Sequence, residues 1–423
     1  MTSSRGRAEL IEARARRLDC RGMTPPPDSS TYFRKGFGLR AEVQGDLETY
    51  EGDLVDRLRA EDYTLTVGDV TIRLAREFGF CYGVERAVEY AYQTRRKFPD
   101  RKIFLVGEII HNPYVNRRLR EMGIEILDRG DSPRFDFSGV QSEDVVILPA
   151  FGVTIEDFNH LREVGCVLVD TTCGSVLNVW KRVEAYARDG FTALIHGKYY
   201  HEETRATASQ VRKYENGHYI VVRDMEETRL VCDFIEGRTD AAAIRGRFEP
   251  HAVSPGFEPA LHLLRIGVAN QTTMLARESM AIGEAVGQAI ERARGVDARQ
   301  ADFRTFDTIC SATQERQDAV LELLREPLDL MVVIGGFNSS NTISLASLCA
   351  EKVPTYHIEA VAAIDSVHNR VHYRKPGIKH EEADAEGWIP SSGAVRVGLT
   401  AGASTPNNKI GDVVAAILRT RNG

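Results

Sequence analysis

From residue 71 onward, short runs of consecutive apolar residues alternate with stretches in which apolar positions recur every three or four residues. The runs fit strands covered on both faces and the recurring positions fit amphipathic helices, so the alternation predicts α/β units on largely parallel sheets. "TIRLA" (71–75) predicts a strand. Behind the FGFC turn, Val84, Ala87, Val88, Ala91 and Tyr92 form one helical stripe. "KIFLVG" predicts a strand leading to His111, followed by a helix over 113–122. "DVVILPA", "CVLVDTTC", "FTALIHG" and "LLRIGVANQTT" predict four further strands, the last leading into a long helix at about 274–294. "RTFDTIC" precedes the helix "ATQERQDAVLELL", "LDLMVVIGG" precedes "FNSSNTISLASL", and "AVRVGLTAGAS" precedes the last helix. Residues 1–70 form a preface with a helix near 7–18, the breaker "MTPPPDSS" at 23–30, an aromatic stretch "TYFRKGFGLR" and a helix around 50–60.

In parallel α/β sheets, ligands bind beyond the carboxyl ends of the strands, where loops and helix N-termini converge. The residues that carry chemistry fall at such corners: Cys81, His111, Cys173, His201 with Glu203, Thr272, Cys310, the Ser339–Ser340–Asn341 run, and Ser404. Hydroxyls and amides at helix starts are routine caps, so the serines, threonines and Asn341 have two readings. The cysteines and histidines have no such routine explanation. "DTTC" (170–173) and "DTIC" (307–310) repeat one arrangement, a strand end followed by a cysteine and a helix, and Cys81 makes a third similar corner. A cysteine there feels the positive end of the helix dipole, which favours thiolate, the form that binds metal or attacks an electrophile. The plainer fate of a free cysteine is a small buried hydrophobe. Cys20, Cys166, Cys232 and Cys349 lack the corner context and are expected to be structural.

Composition narrows the partners. The chain has 423 residues, 27% of them charged, and a formal net charge of −7, without the basic face that nucleic acid or an anionic membrane requires. No apolar run reaches the roughly 18 residues of a membrane span. The N-terminus lacks the apolar core of a secretion signal, and Glu9 and Glu12 fit a transit peptide poorly. Seven scattered cysteines do not make a disulfide framework, so a reducing, bacterial cytoplasm is expected ahead of a plastid stroma.

Isolated thiols from three separate units lack the close pairs of a structural zinc site. They could meet around a four-iron cluster, leaving one iron without a protein ligand and open as a Lewis acid. "YYHEET" sets a histidine beside two carboxylates, and Glu203 either favours its helix N-terminus or carries protons with a pKa raised by burial. "GGFNSSNT" lacks the lysine of a Walker A loop, but its hydroxyls and helix-start amides suit a phosphate.

Eight motifs, "GFCYGVERAV", "GEIIHNPYVNRRL", "DTTC", "HGKYYHEETRATAS", "NQTT", "DTICSATQERQ", "GGFNSSNT" and "TAGAST", stand in the order found in the 4-hydroxy-3-methylbut-2-enyl diphosphate reductases of the non-mevalonate isoprenoid route. The resemblance covers about residues 71–420 and is closer to the plastid and cyanobacterial branch, which "TYFRKGFG" and "HEET" also resemble. It implies a trefoil of three α/β domains around a central [4Fe–4S] cluster held by Cys81, Cys173 and Cys310. The implied division is an N-terminal extension (1–70) and domains at 71–172, 173–309 and 310–423. The implied reaction is reductive dehydration of the allylic diphosphate, with electrons from ferredoxin or flavodoxin. Glu203 would supply protons and Thr272 would orient the substrate hydroxyl. His111, His201, Ser339, Ser340, Asn341 and Ser404 would hold the diphosphate. "AFGV" departs from the A-H-G-V of many bacterial members, placing Phe151 where a diphosphate-binding histidine is expected. Two other readings use the same residues. A non-catalytic iron–sulfur sensor would not need Glu203, and a phosphotransferase or hydrolase would leave the cysteines in the core.

Overall fold

Strands that read as unbroken apolar runs are the ones buried along their whole length, among them Ile103–Val106, Val145–Leu148, Val167–Asp170, Thr192–His196, Ile266–Asn270 and Leu330–Ile334. Helices cover both faces of such strands, so no position needs a polar side chain for solvent. The computed structural model describes residues 31–422 apart from 131, 133 and 378–380. The helix expected near 7–18, the cysteine expected to be structural at Cys20 and the breaker at 23–30 lie outside the described residues.

Three sheets result. The first is wholly parallel, in the order Tyr32–Phe33, Val167–Asp170, Val145–Leu148, Ile103–Val106, Ile124–Leu127. The second, also parallel, runs Phe303–Thr305, Ile266–Asn270, Thr192–His196, Tyr219–Val222. The third has a parallel centre of Thr355–Ile358, Leu330–Ile334, Val395–Ala401 and Val70–Leu74. Antiparallel strands flank it: Thr64–Val67 on one side, and an arm of Ile364–Asp365, Arg370–Arg374 and Glu382–Glu386 on the other. The α/β units expected from the alternation are therefore present, on three sheets as the resemblance implies.

Sheet membership departs from the boundary expected at residue 71. Val70–Leu74 pairs with Val395–Leu399 and so belongs to the sheet built by the C-terminal third of the chain. A strand's own sequence names its period and not its neighbour, which is why the pattern could not show this. The preface is likewise shared out. Tyr32–Phe33 pairs with Leu168 and Val169 at the edge of the first sheet. Helix Asp53–Ala60, close to the one expected at 50–60, packs on the C-terminal helix Asn407–Asn422. Val43, Tyr50, Val55, Leu58 and Leu65 are all buried. A chain beginning at residue 68 is expected to melt well below the full protein. Each large apolar side chain that loses its burial costs about 1.5–3 kcal/mol. Thermal unfolding by circular dichroism checks this, and equal melting temperatures would remove the preface from the fold's core.

The chain passes from one unit to the next at the three cysteines. Cys81 follows the third-sheet strand Val70–Leu74, and its helix Tyr82–Lys97 packs Val88, Ala91 and Tyr92 with Ile103 and Leu105 of the first sheet. Cys173 follows Val167–Asp170 of the first sheet, and its helix Gly174–Arg188 packs Val183 and Tyr186 with Leu194 and Val268 of the second. Cys310 follows Phe303–Thr305 of the second sheet, and its helix Ser311–Leu323 packs Val320 and Leu323 with Met331 and Val333 of the third. Crossovers arranged in a ring bring their corners to its centre.

Candidate active site

Each of the three cysteines is the residue immediately before its helix, in extended backbone conformation, with no side-chain capping bond. Each donates its amide to the loop that ends a neighbouring strand: Cys81 to Ala403 O (3.2 Å), Cys173 to Ala150 O (2.9 Å) and Cys310 to Thr272 O (3.2 Å). The repeated bond turns the weak sequence echo into a structural one. All three thiols are half-buried and unpaired, whereas Cys166, Cys232 and Cys349 are buried, as expected for structural cysteines. Gly83 shows how closely the corners meet, since a Cβ built there would lie 2.5 Å from Cys173 Sγ and 3.9 Å from Cys81 Sγ.

The helix N-termini do not dominate the Cys81 and Cys310 thiols. Burial is the largest influence on Cys310, pushing it up to about 11, with Thr313 acting in the opposite direction. Burial also raises Cys81, opposed by the amides of Val84 and Gly83 and by the Arg316 guanidinium. The expected thiolate character therefore needs a bound cation to reverse the desolvation.

Beside the thiols lies a buried carboxyl. Glu203 is 2% exposed, on the first turn of helix Glu202–Ser209. Its Oε1 accepts the amide of Thr272 at 2.6 Å, and the carbonyl of the same Thr272 receives the Cys310 amide. Burial raises Glu203 to about 7, with the Thr272 bonds acting against the rise. At neutral pH such a group is divided between acid and carboxylate, as a proton donor requires.

His201 caps the helix, its Nδ1 accepting the Glu203 amide at 3.2 Å. Burial, His111 and Lys198 hold His201 well below the usual imidazole range, so the ring is neutral and its proton sits on Nε2. That Nε2–H points to His111 Nε2 at 3.2 Å, and His111 Nδ1 in turn donates to Glu108 Oε2 at 2.9 Å. Asn338 Nδ2 also donates to Glu108. His111, His201 and Glu202 stand close enough together to suggest a cation site, but a His201 that carries its proton on Nε2 offers that site no lone pair. Phe151 stacks on His111 with ring centroids 4.2 Å apart, giving this wall a ring without a donor.

The remaining wall comes from the third unit. Ser339 caps helix Ser340–Ala350 through Thr342 N, as a routine cap would. Ser340 Oγ accepts Lys198 Nζ at 3.1 Å. Asn341 Oδ1 accepts the Ala403 amide at 2.9 Å, and Ser404 Oγ donates to His111 O at 3.2 Å. Cys81, Cys173, Cys310, Glu203, Thr272, His111, His201, Ser339, Ser340, Asn341 and Ser404 all line one cavity. Every residue singled out from the sequence is brought there. Sequence reasoning missed the residues behind them: Glu108 and Asn338, which hold His111, Arg316 beside Cys81, and Lys198. Glu108 lies three residues before His111, the one local spacing that could have indicated it.

The family model described as "LytB protein" matches residues 72–418. A 4-hydroxy-3-methylbut-2-enyl diphosphate reductase of Thermosynechococcus vestitus is 47% identical over 93% of this chain and 96% of its own length. One from Gloeobacter violaceus is 47% identical over 93% of each chain. The solved structure of the E-1-hydroxy-2-methyl-but-2-enyl-4-diphosphate reductase from Plasmodium falciparum shares the fold, with a TM-score of 0.59 and 20% identity over 81% of this chain and 86% of that one. No helix among the described residues is long and apolar enough to cross a membrane. On the match over 72–418 and the 47% identity to cyanobacterial relatives, the chain belongs to the LytB protein family.

Proposed function

We propose that this chain reduces 4-hydroxy-3-methylbut-2-enyl diphosphate to isopentenyl and dimethylallyl diphosphates in a bacterial cytoplasm. The C–O bond of the allylic alcohol breaks, two electrons and two protons are taken up, and one water leaves. The observation that carries the reading is the shared cavity, which joins three thiols, a buried carboxyl poised near 7 and a wall of hydroxyl, amide and imidazole groups.

The three corners fit an iron–sulfur cluster. Their thiols have no disulfide partner, they converge from separate units, and Gly83 leaves the space that a side chain would fill. Cys81, Cys173 and Cys310 would hold a [4Fe–4S] cluster, which supplies electrons and a Lewis-acid position on the iron lacking a protein ligand. Ferredoxin or flavodoxin would deliver the electrons. Glu203 holds the proton that the departing oxygen needs, and the Thr272 backbone fixes that carboxyl against the Cys310 corner. Thr272 would orient the substrate hydroxyl. His111, His201, Ser339, Ser340, Asn341 and Ser404 would hold the diphosphate. A sensor would have no use for a carboxyl kept near 7 inside this cavity.

Gly83→Ala places a methyl group within contact distance of two of the thiols. It is expected to lose most of the iron and the brown colour while keeping its secondary structure, and iron analysis checks this.

The direct test is anaerobic oxidation of reduced viologen by the cluster-loaded protein, with the unphosphorylated diol as control. Oxidation with the diphosphate alone supports both the reaction and the phosphate site. No oxidation, with the cluster intact, returns the sensor reading.

A further inference from the structure

We propose that Lys198 is the cation that neutralises the substrate's diphosphate, and that its bond to Ser340 is the position it leaves when the ligand arrives. This rests on the substrate reading above and adds to it a residue outside the expected donor set.

A diphosphate brings several negative charges into a cavity lined mostly by uncharged hydroxyl and amide donors. Ser339, Ser340, Asn341 and Ser404 carry none, and His201 is held neutral by its burial. Phe151 offers no donor, and Glu203 in the same cavity opposes an anion whenever it is ionised. Arg316 is buried on the cysteine side, where it donates to the carbonyls of Gly79 and Ala312. A buried charge without a counter-charge is costly, so the wall described so far is incomplete for a polyanion.

Lys198 stands where that charge is missing. The strand Thr192–His196 ends two residues before it, and its backbone is fixed on both sides. Its amide donates to Gln271 Oε1 at 3.1 Å, and its carbonyl accepts the His201 amide at 2.9 Å. Gly197 is required there, because a Cβ would lie 2.7 Å from Thr204 Oγ1. From this anchored loop of the second unit, Nζ reaches Ser340 Oγ on the third unit at 3.1 Å.

Lys198 also lines a wider vestibule that shares His111, Phe151 and His201 with the inner cavity. The vestibule also carries Arg120, Arg129, Arg205 and Arg374, and from among these cations Lys198 reaches a hydroxyl that lines the inner cavity. A lysine suits this task, since its compact charge on a flexible stem can turn from a hydroxyl to a phosphate oxygen.

The test uses the cluster-loaded protein and the metal-free protein side by side. In Lys198→Met, calorimetric affinity of the metal-free protein for inorganic pyrophosphate should fall about 10–100-fold, the scale of one hydrogen bond to a charged group. In the cluster-loaded variant, KM for the diphosphate should rise by a similar factor, with kcat, iron content and melting temperature close to wild type. Lys198→Arg should recover most of the affinity, and Lys198→Gln should not. Pyrophosphate affinity unchanged in Lys198→Met overturns the proposal. So does a joint loss of kcat and melting temperature at unchanged affinity, because the Ser340 bond would then be structural. A wild-type protein that fails to bind pyrophosphate overturns the substrate reading itself, and this proposal with it.

Discussion

Glu203→Gln is expected to keep its iron and its melting behaviour near neutral pH and to lose about 10²–10⁴ in turnover, the usual contribution of a positioned proton donor. The substitution keeps the shape and still allows the amide of Thr272 a carbonyl oxygen to donate to. It removes the only carboxyl among the described residues that line the cavity, one that burial raises to about 7. Because the acid form is the donor, wild-type turnover should fall as pH rises through about 7, and the Gln variant should lose that dependence. Stability gives a second reading of the same group. The folded chain holds this proton up to about 7, whereas an unfolded chain releases it near the ordinary glutamate value of 4.5. The stability it contributes is therefore complete below that lower value and is lost as pH rises through about 7, an amount on the order of 3 kcal/mol. Melting temperatures of wild type and Gln variant across this window measure the difference. Parallel curves would mean that Glu203 titrates as an ordinary surface carboxylate, and normal turnover would assign the proton to another group.

Cys173→Ser should have the larger effect on the metal. A serine keeps the helix-capping geometry but offers a hydroxyl that stays protonated where a thiol, beside a cation, would ionise. Its Sγ is the atom that Gly83 leaves room for, 2.5 Å from a Cβ built there. Iron content after anaerobic reconstitution is expected to fall by more than the ~10–100-fold in affinity that a supporting residue costs. Turnover should fall with it. A variant that retained full iron would sink the ligand assignment, whatever its activity. Cys349→Ser offers the contrast, since that thiol is fully buried in the third unit's core and should cost stability without touching the iron.

What could be read from the sequence divides by range. The strands Leu330–Ile334 and Ile266–Asn270 were legible because parallel strands buried on both faces leave an uninterrupted apolar run. The cysteine corners were legible because each joins a strand end to a helix start within a few residues. The arm containing Glu382–Glu386 was not, because alternating acidic residues and alanine on an exposed edge leave almost no apolar signal. Tyr32–Phe33, a two-residue strand, is too short to show a period. The eleven expected site residues among those lining the cavity came from corners and from family motifs. The thiol environment needed three dimensions, since burial opposes the helix dipole there and only the fold shows the burial. Lys198 was missed because its partner Ser340 is far away in sequence, and Glu108 because its only local sign is the three-residue spacing to His111.

The pairing of Val70–Leu74 with Val395–Leu399 also sets a schedule for synthesis. The early strand leaves the ribosome long before its partner, roughly 325 residues later in the register. At about 5–20 residues per second that is a wait of roughly 16–65 s. The late strand occupies the middle of its sheet, with Leu330–Ile334 on its other side, so nothing else made earlier can stand in for it. During that interval the first cysteine corner has its helix but not the loop at Ala403 that receives its amide. The nascent chain should therefore need protection of an exposed apolar strand, and assembly of the three-thiol site should wait until translation is nearly finished.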